Sequence, residues 1–390
     1  MFGKGLKLFT VFGFEVRVDA SWLILAILII VTLTTGHFPR VAEDLSTRAY
    51  VLMGVGGLIG LFFSIVFHEF WHSMVARGMG IEMRGISLFM FGGIAQMGEE
   101  SHTPRSEFLM AIAGPIASVV LGAVFYGIYK LGGGLDWPRP VNAVIGYLAL
   151  INVILAGFNM LPAFPLDGGR VLRSILWGLK KDQRWATGIA SQIGAGFGLA
   201  LILLGILSMV GGGLVGGLWW CLLGLFLRGI SHASYQQVLI SQTLKGEKVE
   251  RLMHKSPVTV RDTVTLDELV ENYIYEHHYK MFPVVDDKGK PEGLVTSRQV
   301  RDVARDHWSD TDVADIMTPV GDTNAVTPEA DATEALKRMR QTQNSRLLVI
   351  KDGSLVGVLS LKDMLEFLAT KLDLEGDDVG AAEISRSLGQ

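Results

Sequence analysis

"IVFHEFWHSMVARG", Ile65 to Gly78, sets three titratable side chains, His68, Glu69 and His72, inside a run apolar enough to lie in a membrane. Ionisable groups at membrane depth are costly, and they normally face a cavity or a partner. Two questions follow: what kind of chain surrounds the stretch, and what those three groups face.

The chain divides by charge. Residues 1 to 230 hold 16 of the 35 Lys/Arg and 12 of the 39 Asp/Glu, which leaves 19 and 27 for the remainder. With 49% hydrophobic residues in total, this pattern reads as a membrane part fused to a soluble, acidic part. No nucleic-acid partner is expected of so acidic a soluble half. Cys221, the one cysteine, cannot form an internal disulfide and reads as a small packed hydrophobe. The N-terminus lacks a signal-peptide pattern, so the first apolar run reads as a retained membrane helix.

Crossing a hydrocarbon core takes about 20 largely apolar residues. Six segments come close, near 20–36, 50–76, 107–130, 141–160, 187–210 and 214–230. An even number puts both ends of the membrane part on one side. Lys4, Lys7, Arg17, Arg77, Arg84, Arg105, Arg170, Arg173, Lys180, Lys181, Arg184 and Arg228 all fall on that side. By the positive-inside rule this predicts a multi-pass cell-membrane protein with both termini cytoplasmic. The small-residue runs "GVGGLIG" and "MVGGGLVGGL" read as helix contact and as a turn with close packing.

In a helix, His68 and His72 stand at i and i+4 on one face, so both imidazoles reach a single ion while Glu69 projects beside it. H-E-x-x-H is the zinc-peptidase arrangement, with the glutamate as general base. Catalytic zinc typically has three protein ligands and an open position. Of the 12 carboxylates in residues 1–230, ten are read as lying in tails, loops or the flanks of spans, which leaves Glu69 and Asp167. Asp167 follows "NMLPAFPL", where Pro162 and Pro165 stop a helix, and it precedes Gly168 and Gly169, which permit a sharp turn. Irregular backbone of this kind is tolerated at membrane depth where it lines a cavity. His68 and Asn159 lie at similar depths, about 27 Å along the second and fourth spans. Asp167 is therefore expected as the third ligand; the bland alternative is that it only caps the helix starting at Gly168.

With both motifs in view, the chain resembles the site-2 protease family of intramembrane zinc metalloproteases. His68, Glu69 and His72 fit its first motif, and "NMLPAFPLDGG", Asn159 to Gly169, fits its second. The resemblance covers residues 1 to about 230. It implies bound Zn2+, Asp167 at the third-ligand position, and Asn159 as a donor to the oxyanion. It also implies that "FGGIAQMG", Phe91 to Gly98, lies along the substrate, with Gly92 and Gly93 letting an extended substrate strand approach the backbone. "AGP", Ala113 to Pro115, is a further family feature. Trp71 is bulkier than the residue often found there, which bears on access and not on ligation.

After the last span the sequence repeats itself. "FPVVDDKGKPEGLVTSRQV" and "LLVIKDGSLVGVLSLKDM" correspond, and each unit reads as strand, helix, two apolar strands joined by a polar turn, then helix. This looks like a tandem pair of CBS domains, a family that often binds adenine nucleotides (ATP, ADP or AMP) in the clefts of the pair. The ligand signature there is a Ser/Thr followed three residues later by Asp. Ser360 and Asp363 match it, whereas Thr296 is followed by Gln299, so one competent site is expected. A homodimer through the CBS pair is a further expectation; His277 and His278 are assigned no role.

The sequence thus predicts a polytopic α-helical membrane domain of about six transmembrane helices followed by a cytoplasmic α/β tandem CBS domain pair. The expected boundaries are 1–230 for the protease domain, 231–248 for a linker, 249–308 and 311–370 for the two CBS domains, and 371–390 for a tail. The predicted activity is zinc-dependent cleavage of single-span membrane proteins. A CBS-regulated ion channel or transporter is the alternative, set against a zinc triad that transport does not require.

Overall fold

The computed structural model describes residues 5–81, 83–90, 92–97, 103–376 and 384. The chain forms two compact units, Met1–Tyr235 and Gln236–Gln390.

Among the described residues six helices are long and apolar enough to cross a membrane: α1 (Ser21–Val41), α2 (Thr47–Gly78), α3 (Pro104–Gly134), α4 (Arg139–Asn159), α6 (Gln183–Val210) and α7 (Leu214–Leu244). A shorter helix, α5 (Asp167–Lys180), lies between the fourth and fifth of these. Local chemistry sets the ends. Ser46 caps α2 by accepting the Ala49 N–H, and Thr103 and Ser106 form a reciprocal cap at the start of α3 with Pro104 at its first position. At about 1.5 Å per residue, the 32 residues of α2 exceed the thickness of a hydrocarbon core.

α7 extends beyond the expected end of the last span. The segment 231–248, read as a linker, is helical as far as Leu244, because "ISHASYQQVLISQTL" holds no Gly or Pro and the fall in hydropathy at residue 230 leaves the backbone helical. α1 contains a π-helical stretch, Leu33–His37.

A four-stranded sheet belongs to the membrane unit, in the order β1 (Leu6–Val11), β2 (Phe14–Val18), β3 (Met83–Phe89), β4 (Gly92–Met97). β2 and β3 run parallel, with Val16 opposite Ile86, and β3 and β4 form an antiparallel hairpin. Among the described residues β4 is an edge strand, paired with β3 alone.

In the second unit the repeats exchange strands. One sheet has β6 (Val260–Arg261), β7 (Met281–Val285), β8 (Pro291–Thr296) and β9 (Thr318–Pro319), and the other has β10 (Ala325–Val326), β11 (Arg346–Lys351), β12 (Ser354–Ser360) and β5 (His254–Lys255). β5, from the first repeat, pairs with β12 of the second, Gly357 opposite Lys255. β9, from the second, pairs with β8 of the first, Gly293 opposite Pro319. Each sheet is complete only with a strand from the other repeat, so the units are not self-contained as the repeat pattern alone suggests. Each of the five residues of β7 is buried, as for a strand covered on both faces.

Candidate metal centre

α2 carries His68 and His72 one turn apart, and both imidazoles are buried. Asp167 is the first residue of α5, and its backbone position leaves the helix without a side-chain cap. Its carboxylate goes elsewhere: Oδ2 lies 3.0 Å from His68 Nε2 and 3.1 Å from His72 Nε2. The two Nε2 atoms are 3.1 Å apart. Two imidazole nitrogens and one carboxylate oxygen thus close a triangle, and the capping role for Asp167 is not what the structure shows.

The other ring nitrogens hold the imidazoles in place. His72 Nδ1 is 2.6 Å from the Met110 carbonyl, which only accepts, so Nδ1 carries the proton, and in the neutral form of the ring the lone pair is on Nε2. His68 Nδ1 is 2.8 Å from Ser118 Oγ, a partner of the kind that orients metal-binding histidines. Ser118 and Met110 both lie on α3, which packs against α2, α4 and α5.

The donor set fits zinc. Tetrahedral bonds of about 2.0–2.1 Å place ligand atoms about 3.3 Å apart, close to the triangle observed. Space is kept for an ion as well. A Cβ built on Gly114, the middle residue of "AGP", would meet the Nε2 atoms of both His72 and His68, the latter at 2.6 Å. Any larger residue there would fill the cradle.

Glu69 sits beside the triangle on α2, and β4 covers it: a Cβ on Gly93 would lie 2.7 Å from Glu69 Cγ and 2.9 Å from Oε1. Gly92 and Gly93 therefore belong to a strand, Gly92–Met97, whose start abuts Glu69. Phe91 and Gly98, the ends of the quoted segment, lie outside the described residues. Asn159 is the last residue of α4, and its amide donates to Leu155 O at 3.0 Å within its own helix; it is not bonded to the triangle. Trp71 points outward and is exposed.

One flanking carboxylate is buried as well. Glu107, placed by sequence in the flank of a span, is fully buried one turn into α3. It persists there because Arg173 of α5 donates to its Oε1, from Nε at 2.7 Å and from Nη2 as well. The Arg173 guanidinium also stacks over Phe164, 5.1 Å from the ring centre. The available signal was the i, i+3 spacing of Arg170 and Arg173, which sets the two arginines beside one another on α5.

In the second unit, Ser360 and Asp363 form a reciprocal helix cap at the start of α9 (Leu361–Leu374), which follows α8 (Ala332–Thr342). Thr296 and Gln299 do the same at Ser297–Arg301, and Gln299 also donates to Ile316 O and Thr318 Oγ1. Both pairs thus have structural work in the free protein.

A helical membrane unit with a buried His-His-Asp cluster next to a glutamate, joined to a CBS-type pair, defines a class of membrane metallohydrolase. Residues 56–143 and 136–205 match the model of peptidase family M50, and residues 249–306 and 313–370 match the CBS domain. Rip3 of Mycobacterium tuberculosis, whose name classes it as a zinc metalloprotease, is 33% identical over 357 residues, 91% of each chain. The similarly named sll0528 of Synechocystis is 31% identical over 369 residues, 94% of this chain and 96% of that one. A solved structure, the site-2 protease from Methanocaldococcus jannaschii, aligns with 28% identity over 59% of this chain and 94% of that one, at a TM-score of 0.43. The chain belongs to peptidase family M50, the site-2 protease family of zinc metalloproteases, and carries a tandem CBS pair. The channel or transporter alternative falls with that assignment.

Proposed function

We propose that the protein is an intramembrane zinc endopeptidase that cleaves the transmembrane segments of single-span membrane proteins, with zinc held by His68, His72 and Asp167. One observation carries the reading: two imidazole nitrogens and a carboxylate oxygen converge within 3.1 Å of one another, deep in an apolar helix bundle, beside a glutamate.

A zinc ion held there supplies a Lewis acid that polarises a carbonyl and makes water more acidic. Glu69 takes the proton of the attacking water and passes it to the leaving amine. Asn159 donates to the developing oxyanion through the amide hydrogen that its bond to Leu155 leaves free. A helical substrate has its carbonyls engaged and must unwind first. The open edge of β4 supports the next step, because an unwound segment added there gains main-chain partners, and Gly93 brings that strand against Glu69.

In this reading both termini are cytoplasmic, and an adenine nucleotide bound in one competent site, through Ser360 and Asp363 with Thr296 as a further contact, sets the cleavage rate. The CBS pair also forms the contact of a homodimer. Coupling of this kind shifts a rate only by the ligand's differential affinity for two states, typically about 5- to 150-fold.

The test is a panel of single-span peptides incubated with purified protein, with and without a chelator. Cleavage that the chelator abolishes and zinc restores is expected; a panel left intact by zinc-loaded protein contradicts the proposal. Calorimetry with ATP, ADP and AMP on wild type and Asp363→Ala decides the nucleotide part, which fails if wild type binds none.

A further inference from the structure

We infer that Arg170 receives the negative charge created at the scissile carbonyl, first on the developing oxyanion and then as the new carboxylate of the product; the inference rests on the protease reading above. Arg170 lies one turn along α5 from Asp167, and only 17% of its side chain is exposed. Yet among the described residues no strong hydrogen bond holds it. Its Nε is 3.9 Å from Glu107 Oε1, and its Nη2 is 3.9 Å from the Met110 sulfur, a weak acceptor.

Prior occupancy explains the slack. Arg173 already holds Glu107 Oε1 through two nitrogens, so that oxygen offers Arg170 no close bond. An enclosed guanidinium without a close partner is costly, so its retention points to an anion that arrives with the substrate.

Its neighbours say which anion. Met110, whose sulfur touches Arg170, is the residue whose carbonyl orients His72, and the Arg170 charge lies within electrostatic reach of Glu69. In hydrolysis the water oxygen bonds to the scissile carbon and the C=O pair moves onto its oxygen. The C–N bond then breaks, and the nitrogen keeps the pair and takes the proton from Glu69. The new carboxyl group gives up the water's second proton through Glu69 to the released amine, which leaves as an ammonium; what remains on the N-terminal fragment is a carboxylate, the planar anion that a guanidinium fork holds through two bonds.

The experiment measures binding without turnover. A fluorescein-labelled (Leu-Ala)6 peptide ending in a free carboxylate, and the same peptide ending in an amide, are titrated by anisotropy against full-length protein in micelles. Wild type, Arg170→Gln and Arg170→Lys are compared, both zinc-loaded and chelator-treated. Chelator-treated wild type is expected to prefer the carboxylate by about tenfold or more. Arg170→Gln loses that preference while its zinc content stays at the wild-type level. No preference in wild type, or the same preference in Arg170→Gln, overturns the inference. Should Arg170→Gln fail to retain zinc, Arg170→Lys decides: a preference cut several-fold supports the inference, and a full preference overturns it. Because the chelated arm involves no cleavage, an intact peptide panel sinks the protease reading separately.

Discussion

Arg173 Nε lies 2.7 Å from Glu107 Oε1 inside the bundle, and this ion pair ties α3, which orients both imidazoles, to the helix that begins with Asp167. The pair locks together the two elements on which the ligand triangle depends. Glu107→Ala leaves Arg173 buried without a counter-charge, which costs about 3–5 kcal/mol. Thermal unfolding in detergent should show a lowered midpoint and early loss of zinc; an unchanged midpoint would make the pair incidental.

Gly114→Ala places a methyl group against both Nε2 atoms. Helix propensity favours the substitution, so the helix itself should form well. Zinc content is expected to fall from about one per chain to a small fraction. A variant that keeps full zinc would show that the cradle relaxes around a Cβ.

Gly93→Ala separates the base from the ligands. The added Cβ falls 2.7 Å from Glu69 Cγ and forces that side chain or the strand to move. Since a displacement of about 1 Å can cost 10²-fold, cleavage should drop by roughly that factor with zinc retained. Cleavage at the wild-type rate would mean that the strand yields without disturbing Glu69.

Outside the membrane helices, Lys371 Nζ bonds Glu247 Oε1 at 2.7 Å, and this hydrogen bond holds the Glu247 carboxyl below the usual range. A carboxyl whose folded pKa is depressed contributes stability that is present above its unfolded pKa and lost as pH falls through the folded value. The second unit should therefore lose stability as pH drops below about 4. Lys371→Met should flatten that part of the profile; an identical slope in the variant would assign the acid sensitivity to other groups.

The triad was legible because its chemistry is written locally. His68 and His72 are one helical turn apart, and Asp167 is bracketed by prolines and glycines that announce an irregular turn at the depth of His68. Ser118, Met110 and Gly114 touch the imidazoles from a different helix, and a single sequence says nothing of which turn of α3 faces α2. The burial of Glu107 was not legible for a related reason: it depends on Arg173, 66 residues away. In the second unit the repeat was visible in "FPVV" and "LLVI". The exchange of β5 and β9 was not, because two-residue strands carry no periodicity.

The most direct measurement is cleavage of a single-span peptide by Glu69→Gln set beside wild type, with zinc determined in both. The amide keeps the shape of the side chain but cannot accept the water's proton. Glu69→Gln should hold about one zinc per chain and cleave 10²- to 10⁴-fold more slowly than wild type. Normal cleavage by a fully zinc-loaded Glu69→Gln protein would contradict the assignment of Glu69 as the base.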